Sequence, residues 1–280
     1  MEKIEIKNTK YQTVFDCILQ HRTDLNYNLL KATLRKKDIR VNNKRINENM
    51  FINTGDNVTL FIKEKEPIKI DIVYKDDNIV VANKPQGMEV TKKDKTFINS
   101  DCLEDCVTGY LACHRIDMNT GGLVIMAKNK QLFDKMSECI KEHKVDKHYQ
   151  AVVCGNVKQK DNLVDYLEKC DDIVKVYKTQ AKNSKIAKTN YKLLKSNNGL
   201  YLLDIEIFTG RTHQIRAQLA SHGIFILGDE KYGNKDANKT YHTKRQQLFA
   251  YKLTFHDMPH PFEYLNGKTV STKPKFTVEL

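Results

Sequence analysis

A chain of 280 residues can bury a substantial core, enough for one large domain or for a large domain with a small appendage. Its 47 Lys and Arg against 35 Asp and Glu leave a net charge of +12, which points to a polyanionic partner, nucleic acid first and an anionic membrane surface second. No apolar run approaches the roughly 20 residues of a membrane-spanning helix, and MEKIEIKNTK lacks the apolar core of a secretory signal, so the expectation is a soluble, cytoplasmic protein with no membrane role.

In chain order, VFDCILQH and YNLLKATLRKK carry apolar residues at helical spacing, and IRVNNKRI and DNVTLFI follow as extended segments. Together they predict a compact ααβ module, with turns at Asn42-Asn43 and Gly55-Asp56. Between Lys31 and Arg45 seven basic residues face the single acid Asp38. Such a run is usually a solvated face. Gathered by a helix end and a hairpin, the same cations would neutralise phosphates and make binding depend on salt. The stretch LLKATLRKKDIRVNNKRI, with NTGDNVTLFI after it, resembles the alpha-L RNA-binding domain first described in a small-subunit ribosomal protein. That resemblance implies an RNA-binding domain over residues 1–63, with Lys31, Arg35, Lys36, Lys37 and Arg40 on the RNA.

KEKEPIK interrupts both periodicities with alternating charge and a proline, and residues 64–69 read as a linker. From residue 70 to 280 the chain reads as one long domain of strand-like segments: IDIVY, NIVVANK, GLVIMAK, KHYQAVVCG, AKTNYKLLK, LYLLDIEIF and QLFAYKLTF. Helical spacing is clear in QLFDKMSECIKEH, and a second helix is expected from about Thr212 to His222, with Ile215 and Leu219 inward and Gly223 as its stop. The count predicts an α+β fold built on a large, mainly antiparallel mixed sheet. Seven cysteines are an odd set and read as reduced thiols. A zinc site at Cys102, Cys106, Cys113 and His114 is disfavoured because the C-x3-C spacing has no second matching pair, and no metal is expected.

One acid stands out. In CHRIDMNTGGLVIMAK, Asp117 follows Arg115 by two residues and precedes Thr120-Gly121-Gly122, which reads as a turn allowing close backbone approach. Taken alone it would be a loop acid that caps a turn or pairs with Arg115. Three segments change that reading: DNIVVANKPQG, HRIDMNTGGLVIMAK and TGRTHQIRAQLASHGIFILGDEKYG, which in this order resemble the motifs of RluA-type RNA pseudouridine synthases from Asp76 to about Tyr232.

The resemblance implies breakage of the bond from ribose C1′ to uracil N1, rotation of the base, and closure to C5. No redox change or energy donor is needed, so a carboxylate serves and no cofactor is expected. Asp117 matches the catalytic aspartate, and Arg216 the arginine that pairs with it. Tyr149 matches the tyrosine that stacks on the base or helps remove its C5 proton. Arg115 matches an arginine that enters the RNA where the target has left its stack, while Arg211 and His213 are expected to touch RNA or neighbouring structure. Two departures are visible. Gly121 replaces a usual serine, and MEVTKKDKTFINSDC after Gly87 replaces a usual apolar residue followed by Val-His-Pro, so the bordering loop is particular to this chain. Large-subunit ribosomal RNA is the first substrate expected and transfer RNA the second; no obligate protein partner is inferred and a monomer is implied. A non-catalytic RNA-binding or ribosome-assembly factor is the rival, opposed by the presence of Asp117, Tyr149 and Arg216.

Overall fold

A computed structural model describes residues 2–22, 25, 27–62, 68–92 and 102–278. Contacts divide the chain into two compact units, one within residues 1–69 with 92–101 and the other spanning 70–91 with 102–280. Residues 64–67 of the expected linker, and residues 93–101 of the particular loop, lie outside the described residues.

The first unit begins with β1 (Glu2–Lys7) and β2 (Gln12–Thr13), then α1 (Val14–His21) and α2 (Tyr27–Arg35). It closes with β3 (Ile39–Val41), β4 (Lys44–Arg45), β5 (Phe51–Ile52) and β6 (Asn57–Ile62). Thr13 caps α1 by accepting from the Asp16 amide at 3.2 Å. Asn42 and Asn43 adopt φ of 48° and 66°, the left-handed pair that a two-residue hairpin turn requires between β3 and β4. Val14, Phe15, Ile18 and Leu30 from the helices share a core with Ile39, Val58 and Leu60 from the sheet. The ααβ expectation is incomplete, because β1 pairs with β6 in a sheet ordered β1-β6-β3-β4. In EKIEIK only Ile4 and Ile6 are apolar, so this edge strand becomes legible only when β6 supplies its partner.

In the second unit β7 (Asp71–Lys75) and β8 (Ile79–Lys84) lead to α3 (Leu103–Cys106), β9 (Leu111–Ala112), β10 (Gly121–Ala127) and α4 (Lys130–Lys141). There follow β11 (Val145–Gly155), β12 (Lys160–Cys170), β13 (Ile173–Tyr177), β14 (Lys185–Asn197) and β15 (Leu200–Ile207). The chain ends through α5 (Gln214–Ser221), β16 (Ile224–Ile226), α6 (Lys235–Thr240), β17 (Leu248–Phe255) and β18 (Thr269–Ser271). The main sheet runs β13-β12-β14-β15-β11-β17-β10-β8-β7, and along it only β10 and β17 run parallel.

Strands β8 and β10 read as continuous apolar runs because both faces are covered. Val80, Ala82, Val124 and Met126 join one core, and Ile79, Val81, Leu123 and Ile125 the other. Helix α4, capped by Asn129 on the Leu132 amide at 3.0 Å, seals the second face with Met136 and Cys139. Helix α5 inserts Ile215 and Leu219 into the first, and burying large aliphatic side chains of this kind contributes about 1.5–3 kcal/mol each. It starts at Gln214 rather than Thr212 because His213 has φ 51° and so stands outside the helix.

Candidate active site

Across the sheet one row of paired residues runs Tyr149–Ala250–Gly122–Lys84, through β11, β17, β10 and β8. Residues directly opposite on neighbouring strands share a face, so Lys84 and Tyr149 flank two positions with almost no side chain. A bulge between His148 and Tyr149 shifts the register of β11 on β17 and brings Tyr149 opposite Ala250. Gly122 has φ 116°, and a Cβ there would overlap the carbonyl of Ala250; a Cβ at Gly121 would stand 2.7 Å from the Phe249 ring. These glycines are therefore the first residues of β10, not the turn itself. The turn is Asp117–Thr120, closed by the Thr120 amide on the Asp117 carbonyl at 3.0 Å.

The segment DNIVVANKPQG holds that turn. Lys84 donates to the carbonyls of Pro85, Met88 and Met118 at 2.9, 2.7 and 3.0 Å, and the Gly87 amide donates to Met118 at 2.8 Å. Gln86 donates to the Asn119 carbonyl at 2.9 Å, and buried Thr120 accepts from Gln246 at 2.9 Å. Burial pushes Lys84 down to about 7, against the opposing pull of Asp117. The three carbonyls explain how a side chain with 1 % exposure carries an amine at all.

Arg216 comes from α5, whose inner side is fixed by a buried polar chain. Gln214 donates to the Lys188 carbonyl and the Thr189 hydroxyl at 3.1 and 3.0 Å, and Thr189 donates to Gln218 at 2.8 Å. Gln218 donates in turn to Asp165 at 2.8 Å. So anchored, the guanidinium forks between two acids. It binds Asp229 through Nε at 2.6 Å and Nη2 at 3.0 Å, and Asp117 through Nη1 at 2.9 Å. Asp229 is wholly buried, whereas the side chain of Asp117 keeps 27 % of its surface, which opens into the pocket. Burial opposes the charge on Arg216, but hydrogen bonds and attraction from Asp229 and then Asp117 override it and raise its pKa. Burial likewise opposes the Asp229 charge, and Arg216 with the Tyr232 and Lys231 amides overrides it and lowers its pKa.

A single pocket is lined by Arg115, Asp117, Tyr149, Arg211, His213 and Arg216. Six residues named from three distant stretches of sequence thus meet. Tyr149 is 6 % exposed, and burial together with the Asp117 charge raises its pKa, which keeps the phenol neutral. Arg115 stands exposed at the rim. Arg211 donates through Nε to the Ile186 carbonyl at 3.0 Å, and His213 shares a 2.9 Å hydrogen bond with the Tyr232 hydroxyl. Burial lowers the pKa of His213 although Asp117 pulls the other way. Asp229 and Tyr232, whose ring lies 5.2 Å from the Arg216 guanidinium carbon, escaped the sequence reading, although both stand in the quoted GDEKYG. The signal was present: an acid in a motif that already held an arginine. In the first unit, Lys31, Arg35, Lys36 and Lys37 are exposed along and just beyond α2, with Lys37 left-handed at φ 61°. Arg40 is half-buried, its guanidinium 4.9 Å from the centre of the Phe61 ring.

What the pocket can do follows from its charges: an anion held by a buried guanidinium faces a cavity walled by a neutral aromatic ring. The profile of the RNA pseudouridylate synthase family matches residues 78–221. An uncharacterised RNA pseudouridine synthase of Mycoplasma capricolum is 30% identical, with 96% of each chain covered. A ribosomal large subunit pseudouridine synthase C of Rickettsia bellii is 32% identical over 75% of this chain and 79% of its own. Human RNA Pseudouridylate Synthase Domain Containing 4 shares the fold, with a TM-score of 0.58 at 22% identity over 73% of this chain and 88% of its own.

The chain belongs to the RNA pseudouridylate synthase family. It is an enzyme that isomerises uridine to pseudouridine in RNA.

Proposed function

We propose that the isomerisation takes place in the pocket that holds Asp117, with Asp117 as the catalytic carboxylate, Tyr149 as the ring against the target base and Arg216 as the positioning cation. The observation that carries this reading is the 2.9 Å ion pair from Arg216 to Asp117 within one pocket with Tyr149. The reaction breaks the C1′–N1 bond and makes a C1′–C5 bond; the C5 proton leaves and N1 gains one, so atoms and electrons balance without a further reactant. As the base departs, positive charge grows at C1′, and an ionised carboxylate beside it is the group that stabilises it. A neutral phenol is a poor base. Tyr149 therefore serves as a stacking wall and hydrogen-bond donor.

Uridine in a stacked RNA hides its glycosidic bond, so the target must leave the stack at a cost of a few kcal/mol. Arg115, exposed at the rim, takes the place it leaves, while Arg211 and His213 contact the backbone. In this reading residues 1–63 form an alpha-L RNA-binding domain and residues 70–280 the catalytic domain. The cations Lys31, Arg35, Lys36, Lys37 and Arg40 then hold RNA phosphates. The substrate is large-subunit ribosomal RNA, the substrate that the name of the Rickettsia relative carries. In the same reading the enzyme works as a monomer in the cytoplasm.

The test is nucleotide-resolution pseudouridine mapping in ribosomal RNA treated with wild type and with Asp117→Asn. The variant is expected to lose at least about a thousandfold in conversion rate while RNA affinity stays within about threefold. Equal conversion by both proteins would remove Asp117 from the chemistry.

A further inference from the structure

We propose that a second cavity beside the Asp117 pocket is a subsite for the nucleotide next to the target uridine. The proposal rests on the reading of the Asp117 pocket as the isomerisation site. The second cavity, of about 430 Å³, has the size of a small-molecule site and shares Gly210 and Arg211 with the Asp117 pocket, so one thin wall separates the two. Three cations line it: Lys169 on β12, Lys185 on β14, and Arg211, whose guanidinium is fixed by its bond to the Ile186 carbonyl. The Glu168 carboxylate lies on the opposite face of β12, where it accepts from the Tyr177 hydroxyl at 2.9 Å.

An RNA chain whose uridine has entered the first pocket brings its flanking phosphodiesters to that wall, because the backbone is continuous on both sides of the extruded nucleotide. Lys169, Lys185 and Arg211 supply the charge to hold such a phosphate. Asn183 then remains for the base. The subsite thus contributes affinity for the nucleotide beside the target.

The experiment uses the full chain and total RNA from cells lacking the protein. Mapping after treatment with wild type gives the converted uridine, and short RNAs carrying it are then the substrates. Lys169→Glu with Lys185→Glu, both exposed positions, is expected to raise KM about tenfold and to lower the slope of log affinity against log salt by about one to two, with kcat much less affected. Unchanged KM and salt slope in this variant, with Asp117→Asn inactive, would overturn the subsite and leave the Asp117 reading standing. Conversion by Asp117→Asn at the wild-type rate would remove both.

Discussion

At Arg216 one side chain joins a wholly buried acid to the proposed catalytic carboxylate through different nitrogens. Nε and Nη2 are spent on buried Asp229, and Nη1 reaches the half-open Asp117. Replacing it by methionine leaves Asp229 buried without its cation, which costs about 3–5 kcal/mol. Arg216→Met is therefore expected to lower kcat and also to shift the urea midpoint, whereas Asp117→Asn lowers kcat alone. A variant that kept full conversion would take Arg216 out of the site. The pH dependence has a definite sign. The folded pKa of Asp229 lies below its unfolded value, so its contribution is complete above about 4 and is lost as pH falls through the folded value. The stability difference between wild type and Asp229→Asn should accordingly be largest near neutrality and shrink as pH falls below about 4. A difference that stayed constant down to pH 2 would contradict the ion pair.

Strand β10 illustrates how an element reaches its place. Its parallel contact with β17 requires that Gly122 carry no side chain, since both its φ of 116° and the Ala250 carbonyl forbid one. Gly122→Ala is expected to cost about 3 kcal/mol or more, strain and overlap together, and to displace the Asp117 turn that begins the strand. Gly87 is a useful control. It has φ 82° and open space around it, so Gly87→Ala should cost about 1 kcal/mol from strain alone. Urea denaturation of the two variants measures the difference, and equal costs would refute the close approach. At this scale the sequence was only partly legible. Strand β10 shows as an unbroken apolar run and β8 as one as far as Ala82, but β12 was missed because its inward series Leu163, Asp165, Leu167 contains a charge. Asp165 tolerates full burial only because Lys178, Gln218 and His222 reach it from other elements.

For the whole molecule the excess of +12 includes the cations lining the Asp117 pocket and those along and just beyond α2. Reversing Lys31, Arg35, Lys36 and Lys37 together is expected to weaken RNA binding and to reduce the magnitude of its salt slope by about three to four. The rate at saturating RNA should be far less sensitive, because these residues lie in the first unit and the pocket lies wholly in the second. Filter binding across a salt series with single-turnover kinetics checks both. An unchanged slope would remove the patch from the RNA surface.

Short-range information was enough for the reaction and for naming residues that meet in one pocket. Asp117, Arg216 and Tyr149 stand in stretches whose residue order and glycine placement are local properties, and such properties are written directly along the chain. Partners across the fold are not. That Asp229 shares the Arg216 guanidinium, that Lys84 clamps the Asp117 turn through three carbonyls, and that Ala250 and Gly122 leave the gap between Lys84 and Tyr149 depend on strand register and helix docking. Register is decided by packing among residues far apart in sequence, so only the folded sheet could bring these groups to hydrogen-bond distance.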